Sequence, residues 1–531
     1  MIKILFGSVL FVILYNLLFY PTVVGMGLGV FFAILNAYLF FVRTKQPGNL
    51  PLAVGSSLLA VLFATAIGWR ANGMVQELDF LIAVFFTVVS AYFYKKEKTF
   101  RWDIISFLAV PLAAGGEFLA SSLQFIFDHH GATLTSRHKA IFVPIVRGIV
   151  IAIPIVVILF KLLSGADPIF ATLFGTLTFT PSWQLIISLS LFTVAFFWGI
   201  TAVKDRFHLH AIPPEAIQEK ESLSIEALIV SLGTAILFGL FLYVQFQYLF
   251  LEVPETQLQH LGINIATYSE YVRQGFFQLL IAAGIATSIV AFGARTIHAI
   301  ENKFKLLLQG SMVILTLETE LLLLSAAKRL SLYAGAHGLT ISRILGIIFL
   351  VWLSAVLIIL MYSLVKRIKR LYFFIAIFAI TTGALVSVNV VPIDSIVAKS
   401  YPPTVNGQID YIYIANLSSD ARDAWPSIIK YAQNEWQNLA KIDSPTVEQE
   451  RQVVSIRLVL SRLERTVFLL DTYPLIKWQA FNYSEYQARR LIQANRPLFD
   501  QIKVLREGIR KKEQKWADAQ IKRDQQNQYK R

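Results

Sequence analysis

Apolar residues run along this chain in blocks of roughly 20, separated by short polar or basic loops. Residues 4–20, 22–42, 52–69 and 78–94 form such blocks in close succession. Residues 141–163, 185–203, 225–250, 276–294, 304–326, 341–364 and 372–391 form the rest. About 20 residues of helix cross a ~30 Å hydrocarbon layer, so the pattern predicts an all-α, polytopic transmembrane helix bundle. The ~10-residue alternating segments of a transmembrane barrel are absent. After Val391 the pattern changes. Pro402, Pro403, Asn406 and Gly407 mark a linker. Residues 426–442, 447–470 and 484–492 then carry apolar positions at helical spacing. Residues 502–531 are basic with sparse apolar positions and read as a solvated or frayed helix. Three parts are expected: N-terminal transmembrane helices over 1–127, a transmembrane core over 141–391, and a soluble helical segment over 392–531.

One further block, 104–127, is apolar enough to span but holds Pro111, Gly115, Gly116 and Glu117. Loop charge bears on it. Arg43 and Lys45 follow the second block and Lys95, Lys96, Lys98 and Arg101 the fourth, while the opposite side has only Arg70. Basic loops stay in the cytoplasm, which places the N-terminus there. Residues 204–224, 295–305 and 366–370 are basic loops further on. All of these share one side if 104–127 enters and leaves on the same face, as a re-entrant or broken helix does. The expectation is eleven crossings with an extracytoplasmic C-terminus. Twelve crossings, with a cytoplasmic C-terminus, is the alternative.

Composition supports the class: 56% of the 531 residues are hydrophobic and only 15% charged, with a mean hydropathy of +0.59. There is no cysteine, which excludes disulfides, iron–sulfur clusters and thiolate chemistry. The net charge of +14 is read as cytoplasmic anchoring loops, not nucleic-acid binding. His129, His130, His138, His208 and His210 have no acid or cysteine at ligand spacing, so no metal is expected. No nucleophile elbow, zinc-protease, phosphate-loop or dinucleotide motif occurs in its proper context. The chain reads as non-enzymatic and without a cofactor.

Ionisable residues at membrane depth are the remaining candidates. The stretch 322–355 has two apolar arms around a polar span holding Lys328, Arg329, Tyr333, His337 and Arg343. Residues 268–279 read as an interfacial helix with Glu270 and Arg273 on one face. With eleven crossings both segments face outward. Glu270, Arg273, Lys328, Arg329, Tyr333, His337 and Arg343 are therefore expected to line a polar vestibule, able to hold an anionic headgroup. The alternative is a structural turn in which Gly335 and Gly338 end one helix and start the next. Glu117, Arg147 and Glu318 are candidate intramembrane charges. Glu318 and Glu320 lie about 200° apart around a helix and do not form a carboxylate pair.

Several segments resemble a bacterial membrane-protein family known as domain of unknown function 4173, related to 4153. They are RGIVIAIPIVVILFKLLSGADPIF (147–170), LFLYVQFQYLF (240–250), YSEYVRQGFFQLL (268–280), LSAAKRLSLYAGAHGLTISR (324–343), IDYIYIANLSSDA (409–421) and WQAFNYSEYQARR (478–490). The resemblance covers roughly 140–490, with Gln274 and Gln278 standing where the family carries an Arg and an acid. It implies a multi-span unit of the bacterial inner membrane with a helical C-terminal segment, and no reaction or catalytic residue. The expected role is sensing or envelope assembly, with the lipid bilayer, anionic lipid or envelope proteins as partners. A secondary transporter or channel for a small polar or anionic solute is the alternative. It requires Glu117, Arg147 and Glu318 to converge on one path.

Overall fold

The computed structural model describes residues 2–19, 25–43, 49–94, 104–112, 114, 221–245, 265–297, 302–366, 368–405, 407–472 and 478–529. These are overwhelmingly helical, as the apolar blocks predict. The blocks at 141–163 and 185–203 lie outside them, as does most of 104–127.

The chain folds as two units. The first contains residues 1–65, 80–101 and 105–214, and the second 66–79, 102–104 and 215–531. In the first unit lie α1 (Ile2–Phe19), α2 (Met26–Val42), α3 (Leu50–Ala66), the larger part of α4 (Gly73–Phe93) and α5 (Ile104–Leu108). Buried Phe63 and Phe86 stack in parallel with centroids 6.4 Å apart, joining α3 to α4. Asn36 gives its amide to the Phe32 carbonyl at 2.9 Å and to the Thr87 hydroxyl at 3.2 Å. Interhelical bonds of this kind hold apolar helices in register where lipid supplies no hydrophobic drive.

The second unit begins with α6 (Glu221–Gln245), α7 (Ile265–Thr296), α8 (Asn302–His337), α9 (Ile341–Lys366) and α10 (Arg370–Val390). Ala283, Ala286 and Val290 on α7 are fully buried against Leu308, Met312 and Leu315 of α8. Gly293 lets the Met312 side chain approach the α7 backbone. Ser231 and Ser311 bond at 2.7 Å between α6 and α8, and Gln309 donates to the Leu364 carbonyl at 2.6 Å between α8 and α9. Among the described residues, Gly73–Phe93, Lys305–Gly335, Ile341–Lys366 and Arg370–Val390 are long and apolar enough to cross a membrane; α1, α2, α3, α6 and α7 contain shorter apolar stretches. The chain is an all-α membrane protein.

Beyond Val390 come α11 (Ile393–Lys399), a two-residue hairpin of β1 (Thr404–Val405) and β2 (Gln408–Ile409), α12 (Tyr411–Ala415), a 3₁₀ turn (Ser419–Ala424), α13 (Trp425–Leu439), α14 (Val447–Thr472), a second 3₁₀ turn (Trp478–Ala480), α15 (Tyr483–Ala494) and α16 (Arg496–Tyr529). Trp425, Ile428 and Ile429 pack with Val453, Ile456, Leu460, Ile492, Phe499 and Ile502 in one core. Asp410, Ser418 and Asn482 cap their helices by accepting from Tyr413, Asp420 and Glu485 N–H groups. Helix α16 departs from the solvated helix expected for 502–531. Ile502, Ile509 and Trp516 form a buried stripe at seven-residue spacing, and the Trp516 indole donates to the Ile442 carbonyl at 3.0 Å.

This tail core is continuous with the helix ends beneath it, since Val75 of α4 and Ile344 of α9 are buried members of it. Gly338, at φ +70°, makes the turn between α8 and α9 against the Pro402 backbone, where a Cβ has no room. Leu339 donates to the Tyr401 carbonyl at 2.9 Å, and the Tyr413 hydroxyl accepts from the Ile341 N–H at 3.2 Å. Gly338→Ala is therefore expected to speed hydrogen exchange over 400–410 severalfold, with helix content by circular dichroism unchanged. Trp425→Ala removes the largest fully buried tail side chain and is expected to lower tail stability by about 3–5 kcal/mol in a urea melt.

Candidate functional site

A buried polar cluster lies where the tail meets the 66–72 turn between α3 and α4. Asp420, only 6% exposed, is its centre. Its Oδ2 accepts the Ala71 and Asn72 N–H groups at 3.0 and 3.1 Å. Its Oδ1 accepts the Ser484 hydroxyl at 2.5 Å and lies 3.6 Å from Arg70 Nη1. The Arg70 fork also donates to the carbonyls of Asn389 (2.7 Å) and Val390 (2.6 Å), which close α10. One guanidinium thus ties the end of a membrane helix to the tail. Carboxylates at such depth need several donors, and Asp420 has them.

Asp394, at 1% exposure, is the second carboxylate. The Asn72 amide donates to its Oδ1 at 2.5 Å. The Ser418 N–H (3.0 Å) and hydroxyl donate to its Oδ2. Asn482 reaches back to the Ile67 and Arg70 carbonyls at 3.2 and 2.7 Å, and Tyr483 N–H to the Gly68 carbonyl at 2.8 Å. Above this, the rings of Trp69 and Tyr483 stack with centroids 4.7 Å apart. The group forms a latch. It fixes α11, the 3₁₀ turn and the start of α15 to a single turn of chain some 320–415 residues away in sequence.

Burial pushes the Asp394 carboxyl up from its usual range, against bonds from Ser418 and Asn72 that hold it down. The closed latch therefore binds this proton more tightly than an open tail does. Its contribution is full below about pH 4, the ordinary carboxylate value, and is lost as pH rises toward the raised one.

Of the sequence-predicted residues, Tyr333, His337 and Arg343 come together. The Arg343 guanidinium lies 4.1 Å from the centre of the Tyr333 ring, and that ring sits 4.9 Å from His337. Arg343 also donates to the His337 and Gly338 carbonyls, capping the C-terminus of α8. Lys328 and Arg329 lie inside α8, not on a turn, and Arg329 is buried. Gly335 is also inside α8, and Gly338 alone breaks the helix. Glu270 and Arg273 belong to α7, but their side chains lie outside the described residues, as do Glu117 and Arg147 altogether. Glu318 Oε1 approaches Gly239 of α6, whereas Glu320 accepts from Ser354 of α9 at 2.8 Å. The two acids point to different helices, as their spacing requires. Among the described residues no group of His, Cys, Asp and Glu is arranged to hold a metal ion.

Sequence reasoning passed over the latch. Its one signal was Arg70, the lone basic residue on its side of the early blocks. Asp420→Ala leaves Arg70 and two turn N–H groups without their acceptor and is expected to weaken docking by about 3–5 kcal/mol, read as faster hydrogen exchange over 411–424. The melting temperature of the tail is expected to fall as pH rises above about 4, with a shallower slope in Asp394→Asn.

The family model described as Domain of unknown function (DUF4153) matches residues 57–428. It is the relative of the family that the segment resemblance named first, and it starts far earlier, taking in most of α3 and all of α4. No curated protein and no solved structure matches the chain.

Proposed function

The chain belongs to the family described as Domain of unknown function (DUF4153), and from that premise we propose a multi-pass protein of the bacterial inner membrane. Its tail is docked on the extracytoplasmic ends of its helices, and it works in sensing or envelope assembly. The observation that carries this reading is the latch between Asp420, Asp394 and the 66–72 turn. Three apolar helices, α1 to α3, precede that turn, so it lies opposite the N-terminus if each crosses. The tail touches the turn, so it too lies opposite the N-terminus, and the crossings before it are odd in number. Eleven crossings satisfy this and twelve do not. Loop charge agrees. Lys366, Arg367, Lys369 and Arg370 join the ends of α9 and α10 farthest from the tail, where basic residues mark the cytoplasm.

A docked tail joined to the membrane helices by polar contacts suits a protein that changes state on meeting a partner. The partner is a component of the lipid bilayer, anionic lipid included, or an envelope protein, not nucleic acid, and no enzymatic step is involved. The cluster of Tyr333, His337 and Arg343, beside the tail at the α8–α9 turn, is the part of the proposed vestibule that would meet it. The second reading, a transporter or channel for a small polar or anionic solute, is favoured by Glu318 and Glu320. Each has one buried carboxylate oxygen with no partner among the described residues, at membrane depth in α8.

A reporter fused after Arg531 tests the topology. Activity of a periplasm-dependent reporter there is the expected result. A cytoplasm-only signal would overturn the docking side and return the count to twelve. Arg343→Ala is expected to reduce association with anionic lipid severalfold, and unchanged association would remove the vestibule.

A further inference from the structure

Asp79 sits on α4 about 9 Å along the axis from its start and is 1% exposed. The side-chain amide of Asn389, on α10, donates to its Oδ1 at 2.6 Å. Two oxygens are then left over. Asp79 Oδ2 and Asn389 Oδ1 are both buried and have no hydrogen-bond partner among the described residues. A buried acceptor left unmet costs free energy, and more when charged. Two on the two partners of one hydrogen bond, one of them a carboxylate oxygen, need an explanation.

An ionised carboxylate has no donor, so it can answer the amide N–H but never the amide oxygen. A carboxylic acid has one of each. An acid and an amide facing each other close a ring of two hydrogen bonds, N–H to carbonyl and O–H to amide oxygen. One proton placed on Asp79 Oδ2 thus supplies the partner that both orphaned oxygens lack. We propose that Asp79 and Asn389 form a proton-binding site, in which Asp79 is a neutral acid that donates to the Asn389 amide oxygen.

The charged surroundings favour a proton over a counter-ion. Arg70 meets the Asn389 backbone, but its guanidinium is committed to the Asn389 and Val390 carbonyls and to Asp420. Glu77 on the same helix is exposed. Asp394 and Asp420 face Asn72 and the turn amides. No described Lys, Arg or His forms an ion pair with Asp79.

The site has a route to the latch. Asn389 meets Asp79 with its side chain and Arg70 with its backbone carbonyl. Loss of the proton places a buried charge beside Asn389 and loosens the end of α10 that Arg70 grips, and with it the docking of Asp420. The proposal stands apart from the sensing reading, since a proton site would equally suit a transporter.

The test is infrared spectroscopy of the full chain in lipid nanodiscs near neutral pH. Wild type is expected to show a carboxylic-acid carbonyl band that Asp79→Asn removes, while the melting temperature of Asp79→Asn stays at the wild-type value. An asparagine there can form the same two-bond ring. Asn389→Ala is expected to keep the band and shift its frequency, because the acid loses its acceptor. A spectrum in which Asp79→Asn removes nothing overturns the proposal. So does a band whose frequency Asn389→Ala leaves unchanged, or a sodium-dependent stabilisation lost in Asp79→Asn without any acid band. If Asp79→Asn fails to fold, the Asn389→Ala frequency decides alone.

Discussion

A carboxylate taken out of water must be surrounded by donors, and Asp420 is where this chain meets that demand. Its donors are backbone N–H groups of a turn that no regular helix satisfies, a serine from α15 and an arginine that also closes α10. Each charge-assisted bond is worth about 1.5–3 kcal/mol. Removal of the acid strands several partners at once. The tail and the membrane helices are therefore not independent pieces joined by a linker. They share a buried polar centre and, through Val75 and Ile344, a buried apolar one.

The two kinds of contact divide the labour. Apolar packing in α13 to α16 gives the tail its own stability, with Trp425 and Phe499 edge to face at 6.3 Å. The polar latch gives it one position. Hydrophobic contact alone tolerates sliding, whereas bonds aimed at the Ile67, Gly68 and Arg70 carbonyls do not. The same division holds at the α8–α9 turn, where Gly338 permits the approach and Leu339 and Ile341 fix it.

Much of this was legible in the chain. Blocks of apolar residues announced the helices because membrane burial selects on hydropathy over a whole turn, not on individual side chains. The tail helices 426–442 and 447–470 were placed within a few residues of α13 and α14 by the helical spacing of their apolar positions. Helix α16 was misjudged as solvated because its stripe is thin, one large residue per two turns amid many charges. The latch was illegible on different grounds. Asn72 and Asp394 lie 322 residues apart, and nothing local distinguishes a serine that caps a turn from one that also bonds a distant acid. The segments 409–421 and 478–490 carried the family resemblance and do contain Asp420, Asn482 and Ser484, but resemblance names segments, not contacts. Lys328 to His337 read as a polar span, with a turn at Gly335 and Gly338 as the alternative, because polar residues interrupt the apolar run. The helix simply continues past the apolar stretch, and 36 residues give α8 a length of about 54 Å.

The separation of the latch halves also sets an order of assembly. Asp420 lies 349 residues downstream of Ala71, and ribosomes add about 5–20 residues per second. The 66–72 turn is made roughly 17 to 70 s before its acceptor exists. Through that interval Arg70 and the amides of Ala71 and Asn72 are without the carboxylate they meet in the folded chain. The receptor half of the joint is thus made long before the half that docks on it, and the latch closes only once the tail has been synthesised.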